Sequence, residues 1–414
     1  MARAGKRNNE PSLRPVIRAE LSEKNRTIRW ILIIGFAAIA LISLIVGLRA
    51  ALVTEPGWEM VESASTESNC SGDFVFSYCY GQTEEDPSAE KKRLTMFYSE
   101  LSESAYSIFH EGLTSVNENV NQPVTVDPAL YKALELVQKY ENRNFYLAPV
   151  YAEYRPIFLS ATEEEAAEYD PNRNPELRAY IEELVSYCSD PTMIDLQLLG
   201  NNQVCLQVSE AYAAYAARYE ITEFVALDWM TNAFIVDFLA DGLADAGFTN
   251  GYLSSYDGFT RNLDNRGEQF SLNLFDRQVA SIYMPAAMHY NRPISIVFLR
   301  DFPMGEKDSF HYYAFDNNGV PDIVSPYVNP VNGMEECAVS SLTGYSHSMG
   351  CAEVLMQIAP VFVTMDLDEA ALQNLTDVGI HSLWLEEKSI YCNDPDLSIT
   401  IIEDGLGYTV QYID

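Results

Sequence analysis

A run of 19 uncharged residues, Trp30 to Leu48, lies between Arg29 and Arg49. A soluble domain rarely needs such a stretch, and its length suits the hydrocarbon core of a bilayer. It is longer than an ordinary signal-peptide h-region, and the small residues near its end make no persuasive cleavage site. A signal peptide with a long basic leader is the competing reading. The preceding tail carries Arg3, Lys6, Arg7, Arg14, Arg18, Lys24, Arg26 and Arg29 against Glu10, Glu20 and Glu23. That excess holds the tail in the cytoplasm and sends residues from about 53 onward outside. The expected organisation is a basic tail over 1–29, a transmembrane helix over 30–52, an acidic stalk over 53–92 and an extracytoplasmic domain over 93–414.

The formal net charge is −34. Beyond the membrane run, 17 basic residues face 57 acidic ones, a net charge of −40. Nucleic acid is excluded as a partner, because phosphate contacts need clustered cations. Solubility and mutual repulsion account for most of the acidity. Seven cysteines fit an oxidising compartment. Their pairing cannot be read from sequence; pairing by sequence neighbours would join Cys70–Cys79, Cys188–Cys205 and Cys337–Cys351, leaving Cys392 single.

Hydrophobic spacing predicts helices over 128–140, 161–169, 206–219, 231–247, from about 349 to before Pro360, and 368–377. Strands are expected at 251–256, 278–284, 293–299, 309–315, 380–391, 397–402 and 407–413, with Asp316-Asn-Asn-Gly319 as a hairpin turn. Helices and hairpins mixed in this order indicate a mixed α/β (α+β) domain.

Several common sites are missing from the sequence. There is no Gly-rich phosphate loop, no GxGxxG after a strand and no HExxH. Gly344-Tyr-Ser-His-Ser348 lacks the last glycine of a nucleophile elbow. The five histidines are scattered, as packed or surface residues are. More informative is Ser325-Pro-Tyr-Val-Asn-Pro-Val-Asn-Gly333, since Pro and Gly hold a turn that can present several backbone groups to one ligand. Glu353, near a small-residue helix start, follows it.

The order of weak motifs over roughly 93–392 resembles the FAD:protein FMN transferases (ApbE-like), once described as thiamine-biosynthesis lipoproteins. The motifs are Tyr98-Ser-Glu-Leu-Ser-Glu103, Val126-Asp-Pro-Ala-Leu130, a helix opening near 226–237, Leu253-Ser-Ser-Tyr-Asp-Gly258, the Asn329-Pro330 turn and the helix after Gly350. The resemblance implies an extracytoplasmic enzyme that moves FMN from FAD to a threonine or serine of a target protein with magnesium. In such a phosphoryl transfer, placement and charge compensation do most of the work. It further implies nucleotide contacts from Tyr98, Asn232, Tyr256, Asp257, Gly258, Asn329, Pro330 and Gly333. Thr231, Glu353 and Gln357 fall where the family binds its metal, and no catalytic residue is assigned.

Departures from the family pattern are as telling. Its Asp-x-Gly-Gly-x-Ala-Lys-Gly segment falls on Ala226 to Ala233, with Asp228 and Trp229 at the glycines and Asn232 at the lysine. A tryptophan there obstructs close backbone approach. The Asn329-Pro330 turn lacks the family's acid and histidine, and Tyr146 stands at the acid of its Phe-Asp-Pro segment. Glu353 carries one more methylene than the family's aspartate, which moves its oxygens about an ångström outward, and octahedral magnesium tolerates that poorly. The expectation is a domain that has lost ordinary transfer chemistry and serves as a binding or assembly module for a nucleotide or protein partner. The alternatives are an active magnesium-dependent transferase and an unrelated adhesion module.

Overall fold

The computed structural model describes residues 26–413 apart from 53, 309 and 310. The chain divides after Thr54 into two units. The first contains one helix, Arg26–Leu52, whose described side chains, Phe36 and Leu41 among them, are exposed. Among the described residues no helix is long and apolar enough to cross a membrane. Parts of the span expected over 30–52 have no described side chains, and the basic tail over 1–25 lies outside the described residues.

The second unit is built on a nine-stranded sheet whose spatial order follows the chain: Gly57–Met60, Phe74–Tyr80, Gly251–Ser255, Phe259–Asn262, Ile294–Arg300, Ser341–Ser346, His381–Glu386, Ser389–Cys392 and Thr409–Tyr412. Neighbours are antiparallel except the last pair. Alternation explains why the middle strands are buried on both faces. Val297, Leu299, Leu342 and Trp384 join a core under the helices, whereas Ile294, Ile296, Tyr345, Leu383 and Leu385 join a second core on the other face. A three-stranded sheet, Phe270–Gln278, Ser281–Tyr290 and Ser398–Ile401, covers that second face.

Residues 53–92, expected as a stalk, instead supply the first two strands and the start of helix Pro87–Tyr106. Phe76, Tyr78 and Tyr80 are fully buried there. Their every-other-residue spacing in Phe74-Val-Phe-Ser-Tyr-Cys-Tyr80 is a strand period that the surrounding Ser and Glu obscured. Residues 81–250, inserted between the second and third strands, carry most of the helices and the small sheet Val124–Thr125, Ile194–Gly200 and Gln203–Val208.

Helices Pro128–Lys139, Glu163–Tyr169 and Thr231–Asp245 lie close to their expected spans. Asp127 caps the first by accepting from Ala129 N (2.7 Å). Thr162 and Glu165 form a reciprocal box on the second, through Glu165 N (3.2 Å) and Ala161 N (3.0 Å). Other expectations shift. Residues 206–219 split into strand Gln203–Val208 and helix Glu210–Tyr219, where Ser209 caps Tyr212 N at 3.1 Å. The strand expected at 278–284 straddles a turn, with Val279 at φ 56°. Helix Cys351–Phe362 runs through Pro360, which sits in its last turn and takes one N–H donor out of the helix there. The Asn318-Gly319 hairpin turn forms between Tyr313–Asn317 and Val320–Val324, both turn residues at positive φ.

All seven cysteines are free thiols, so the three sequence-neighbour disulfides do not form. Cys351 donates to Thr260 O (3.2 Å), while Cys337 lies beside Ser325 (3.5 Å). Cys188 meets the Tyr212 hydroxyl at 3.3 Å, and Cys70 donates to Ser102 O at 3.4 Å.

Candidate functional site

A cavity of about 530 Å³ opens where the start of helix Thr231–Asp245 meets helix Ala148–Leu159 and the loop after Ser255. Spacing of i, i+3, i+4 and i+7 puts Tyr151, Tyr154, Arg155 and Phe158 on one stripe of the latter helix, and all four line the cavity. A one-turn π-helical stretch, Ser107–Glu111, brings in Phe109 and His110. Pro326, Tyr327 and Val328 close another side.

The floor is made by Asp228 to Asn232 and by Asp257. Asp228 sits at φ 44°, a left-handed conformation that a side chain resists. Its Oδ1 accepts from Arg155 at 3.0 Å, and its other oxygen is buried without a hydrogen-bond partner among the described residues. Burial pushes its carboxyl up to about 6, against the pull of Arg155. Trp229 donates its indole N–H to Tyr151 Oη (2.9 Å) and packs edge-on against Tyr327. Asn232 donates to Asp257 Oδ2 (2.9 Å), while Asp257 Oδ1 is buried with no hydrogen-bond partner among the described residues. Burial raises the Asp257 carboxyl above the usual range.

Asp257 is held by the backbone around it. Gly258 lies at φ 117°, and a Cβ there would stand 2.3 Å from Phe298 O. Buried Arg300 donates to Tyr256 O (2.9 Å) and Asp257 O (3.2 Å) and pairs with buried Asp308. Asp308 in turn accepts from Met304 N and Gly305 N, both at 2.8 Å. This buried pair fixes the loop that forms one wall.

The residues singled out from sequence distribute over several places. Thr231, Asn232 and Asp257 line the cavity, with Gly258 directly behind Asp257 and Tyr256 at the surface beside it. Tyr98 is buried against Phe76 in the core. Phe145 is buried too, and Tyr146 accepts from Leu196 N at 3.0 Å. Asn329, Pro330 and Gly333 form a tight turn, with Gly333 N donating to Asn329 O at 2.8 Å, but the turn packs on helix Pro175–Cys188. A Cβ on Gly333 would lie 2.6 Å from Ile181 and Val185 side-chain carbons, and Asn329 donates to Glu336 (2.6 Å). None of these three turn residues lines the cavity.

Glu353 faces a second hollow, of about 910 Å³, beyond Phe109. It accepts from Lys139 Nζ and Tyr140 Oη, both at 2.7 Å. Burial would raise its carboxyl, but these two donors hold it below the usual range. Gln357 donates to Glu353 O at 3.3 Å, and the Thr231 hydroxyl donates to Asp228 O at 2.7 Å. Magnesium needs several oxygens converging at octahedral distances. Among the described residues no group of three or more His, Cys, Asp or Glu side chains is arranged to hold a metal ion. The donor set present therefore does not fit one.

Comparison with solved structures adds the fold. The flavin transferase ApbE from Vibrio cholerae matches with a TM-score of 0.51 at 13% identity, covering 86% of this chain and 100% of that one. An ApbE protein from Thermotoga maritima gives 0.53 at 13% identity, over 86% and 99%. The Pseudomonas stutzeri flavinyl transferase ApbE, apo form, gives 0.50 at 9%, over 84% and 96%. The chain has the ApbE-like fold. No family model matches it, and no curated protein matches it at a significant level.

Within that fold, the left-handed backbone at Asp228 occupies a position where the sequence resemblance expects glycine, the residue that adopts such a conformation freely. Tyr151, Arg155, Phe158 and Glu223 were not singled out from sequence, and Tyr327 entered only as part of the 325–333 stretch. The stripe on helix Ala148–Leu159 was the available signal. Its cavity-facing side mixes aromatics with one arginine, which reads equally as core packing.

Proposed function

We propose that this chain is a membrane-anchored, extracytoplasmic protein whose ApbE-like domain acts as a binding or assembly module and not as an FMN transferase. One observation carries the reading. The residues that would hold the metal are committed elsewhere: Glu353 is neutralised by Lys139 and Tyr140, and Thr231 is bonded to Asp228 O on the other cavity. The acidic cavity floor supports the same reading, because carboxylates at Asp228 and Asp257 repel a diphosphate that no metal screens. Anchoring rests on the uncharged run Trp30–Leu48 and its basic flank.

The test is incubation of the purified full-length chain with FAD, magnesium and a threonine-bearing acceptor protein, read by intact mass. No FMN adduct is expected. Accumulation of the adduct, abolished by Glu353→Ala, would establish the active-transferase alternative and overturn this reading. Anchoring is tested separately by alkaline carbonate extraction of membranes, in which the chain should stay with the pellet.

A further inference from the structure

The 530 Å³ cavity has walls of a definite chemical character. Phe109, Tyr151, Phe158, Trp229 and Tyr327 give it aromatic faces. Among them stand the carboxylates of Asp73, Glu223, Asp228, Asp257 and Asp308, against one lining guanidinium, Arg155, and the imidazoles of His110 and His311. That guanidinium is already engaged by Asp228 (3.0 Å) and Glu223 (3.7 Å). Asp308 is likewise neutralised by Arg300.

Two oxygens are left over. Asp228 Oδ2 and Asp257 Oδ1 each expose less than 1 Å² and have no hydrogen-bond partner among the described residues. An ionised oxygen buried without a donor is costly; Arg155 beside Asp228, and Arg300 and His311 near Asp257, supply positive charge but leave these two oxygens without a donor among the described residues. A metal ion does not resolve this, for no converging ligand group exists among the described residues. An anion worsens it. What completes the site is a ligand that brings N–H donors and a positive charge on a body that packs against rings.

We propose that the cavity binds a small organic cation, a primary ammonium or an amidinium on an aromatic or short aliphatic body, with Asp228 and Asp257 as its countercharges. This rests on the reading of the domain as a binding module and names that module's ligand class. Trp229, which stands where a nucleotide-binding segment would have glycine, becomes a wall for the ligand's apolar part.

The test is calorimetric titration of the purified full-length chain with 2-phenylethylamine and benzamidine, beside neutral 2-phenylethanol and FAD. Both cations should bind, with the alcohol at least about 10-fold weaker, because it keeps the ring and loses the charge. Asp228→Asn and Asp257→Asn should each weaken cation binding by about 10-fold or more. Each replaces a buried carboxylate that has one oxygen without a donor, and keeps an acceptor for Arg155 or Asn232, so the melting temperature should hold or rise, which separates lost affinity from lost fold. Equal binding of amine and alcohol, unchanged binding in both Asn variants, or no binding of either cation overturns the inference. Tight FAD binding with no amine binding also overturns it, yet leaves the non-transferase reading standing. Only an FMN adduct on the acceptor removes that reading.

Discussion

The carboxylate of Asp237 stands where a side chain on Gly350 would have to go: a Cβ at 350 would lie 2.3 Å from Asp237 Oδ2. Gly350 is the N-cap of helix Cys351–Phe362 and offers no side-chain acceptor. Asp237, from helix Thr231–Asp245, supplies it by accepting from Cys351 N and Ala352 N, both at 2.8 Å. It also pairs with Arg261, which is largely buried. The carboxylate therefore caps one helix, complements its dipole and ties it to another. Asp237→Ala removes the cap and leaves Arg261 only its exposed partner Asp241 (2.9 Å), and should cost about 2 kcal/mol in urea unfolding. Gly350→Ser offers a local cap but collides with Asp237, so it should destabilise. A raised urea midpoint for Gly350→Ser would show that the borrowed cap is not what the helix start depends on.

Asp228 holds a left-handed backbone with an ordinary side chain, at φ 44°. Glycine adopts that conformation freely, and its substitution also removes the unpartnered oxygen. The lost contact to Arg155 matters little, since that guanidinium is half exposed. Asp228→Gly should stabilise the fold by about 1 kcal/mol at neutral pH, by thermal unfolding. The same variant should lose cation binding, so stability and binding move in opposite directions. Loss of both together would contradict the account of this residue.

The contrast between legible and illegible parts follows the range of the interactions. Helices Pro128–Lys139 and Thr231–Asp245 announce themselves through apolar spacing within a few residues, and the 316–319 turn through Asn318-Gly319. The order of elements pointed to the fold although identity to solved relatives is only 9–13%. The site did not follow, because its decisive contacts are distant in sequence. Lys139 reaches Glu353 across 214 residues, and Trp229 reaches Tyr151 across 78. Helix packing alone decides whether Thr231 and Glu353 share a site, and it sets them on different hollows. The strand Phe74–Tyr80 was missed for another reason: a polar neighbourhood outweighed a clear two-residue period.

The cysteines provide a third check, independent of any ligand. Each of the seven is a free thiol, and all but Cys337 are buried. Burial raises the Cys70 and Cys188 thiols to about 12, so little thiolate is present at neutral pH. Iodoacetamide should label the native protein slowly at Cys70 and Cys188. After denaturation without reductant, all seven should be labelled by mass. A shortfall of two after denaturation would mean a disulfide and a rearranged packing around it.

Glu335 yields a pH prediction. Its carboxylate accepts from the Ser325 hydroxyl and sits beside Cys337 (3.9 Å), with Asp301 and Asp170 near enough to oppose ionisation. Tyr154 is another titratable neighbour. Burial pushes Glu335 up to about 7 from an ordinary 4.5, against the hydrogen bonds from Ser325. The folded state then binds this proton more tightly than the unfolded chain does. Between about 4.5 and 7 the folded form holds more protons, so stability falls as pH rises through that window. Above it the fold carries the full penalty of a buried carboxylate. Glu335→Gln keeps an acceptor for Ser325 and never ionises. It should match the native protein near pH 4.5 and exceed it above pH 7 by on the order of 2 kcal/mol. Chemical unfolding across that range checks it: a constant difference between the two proteins would mean that Glu335 does not titrate in the window.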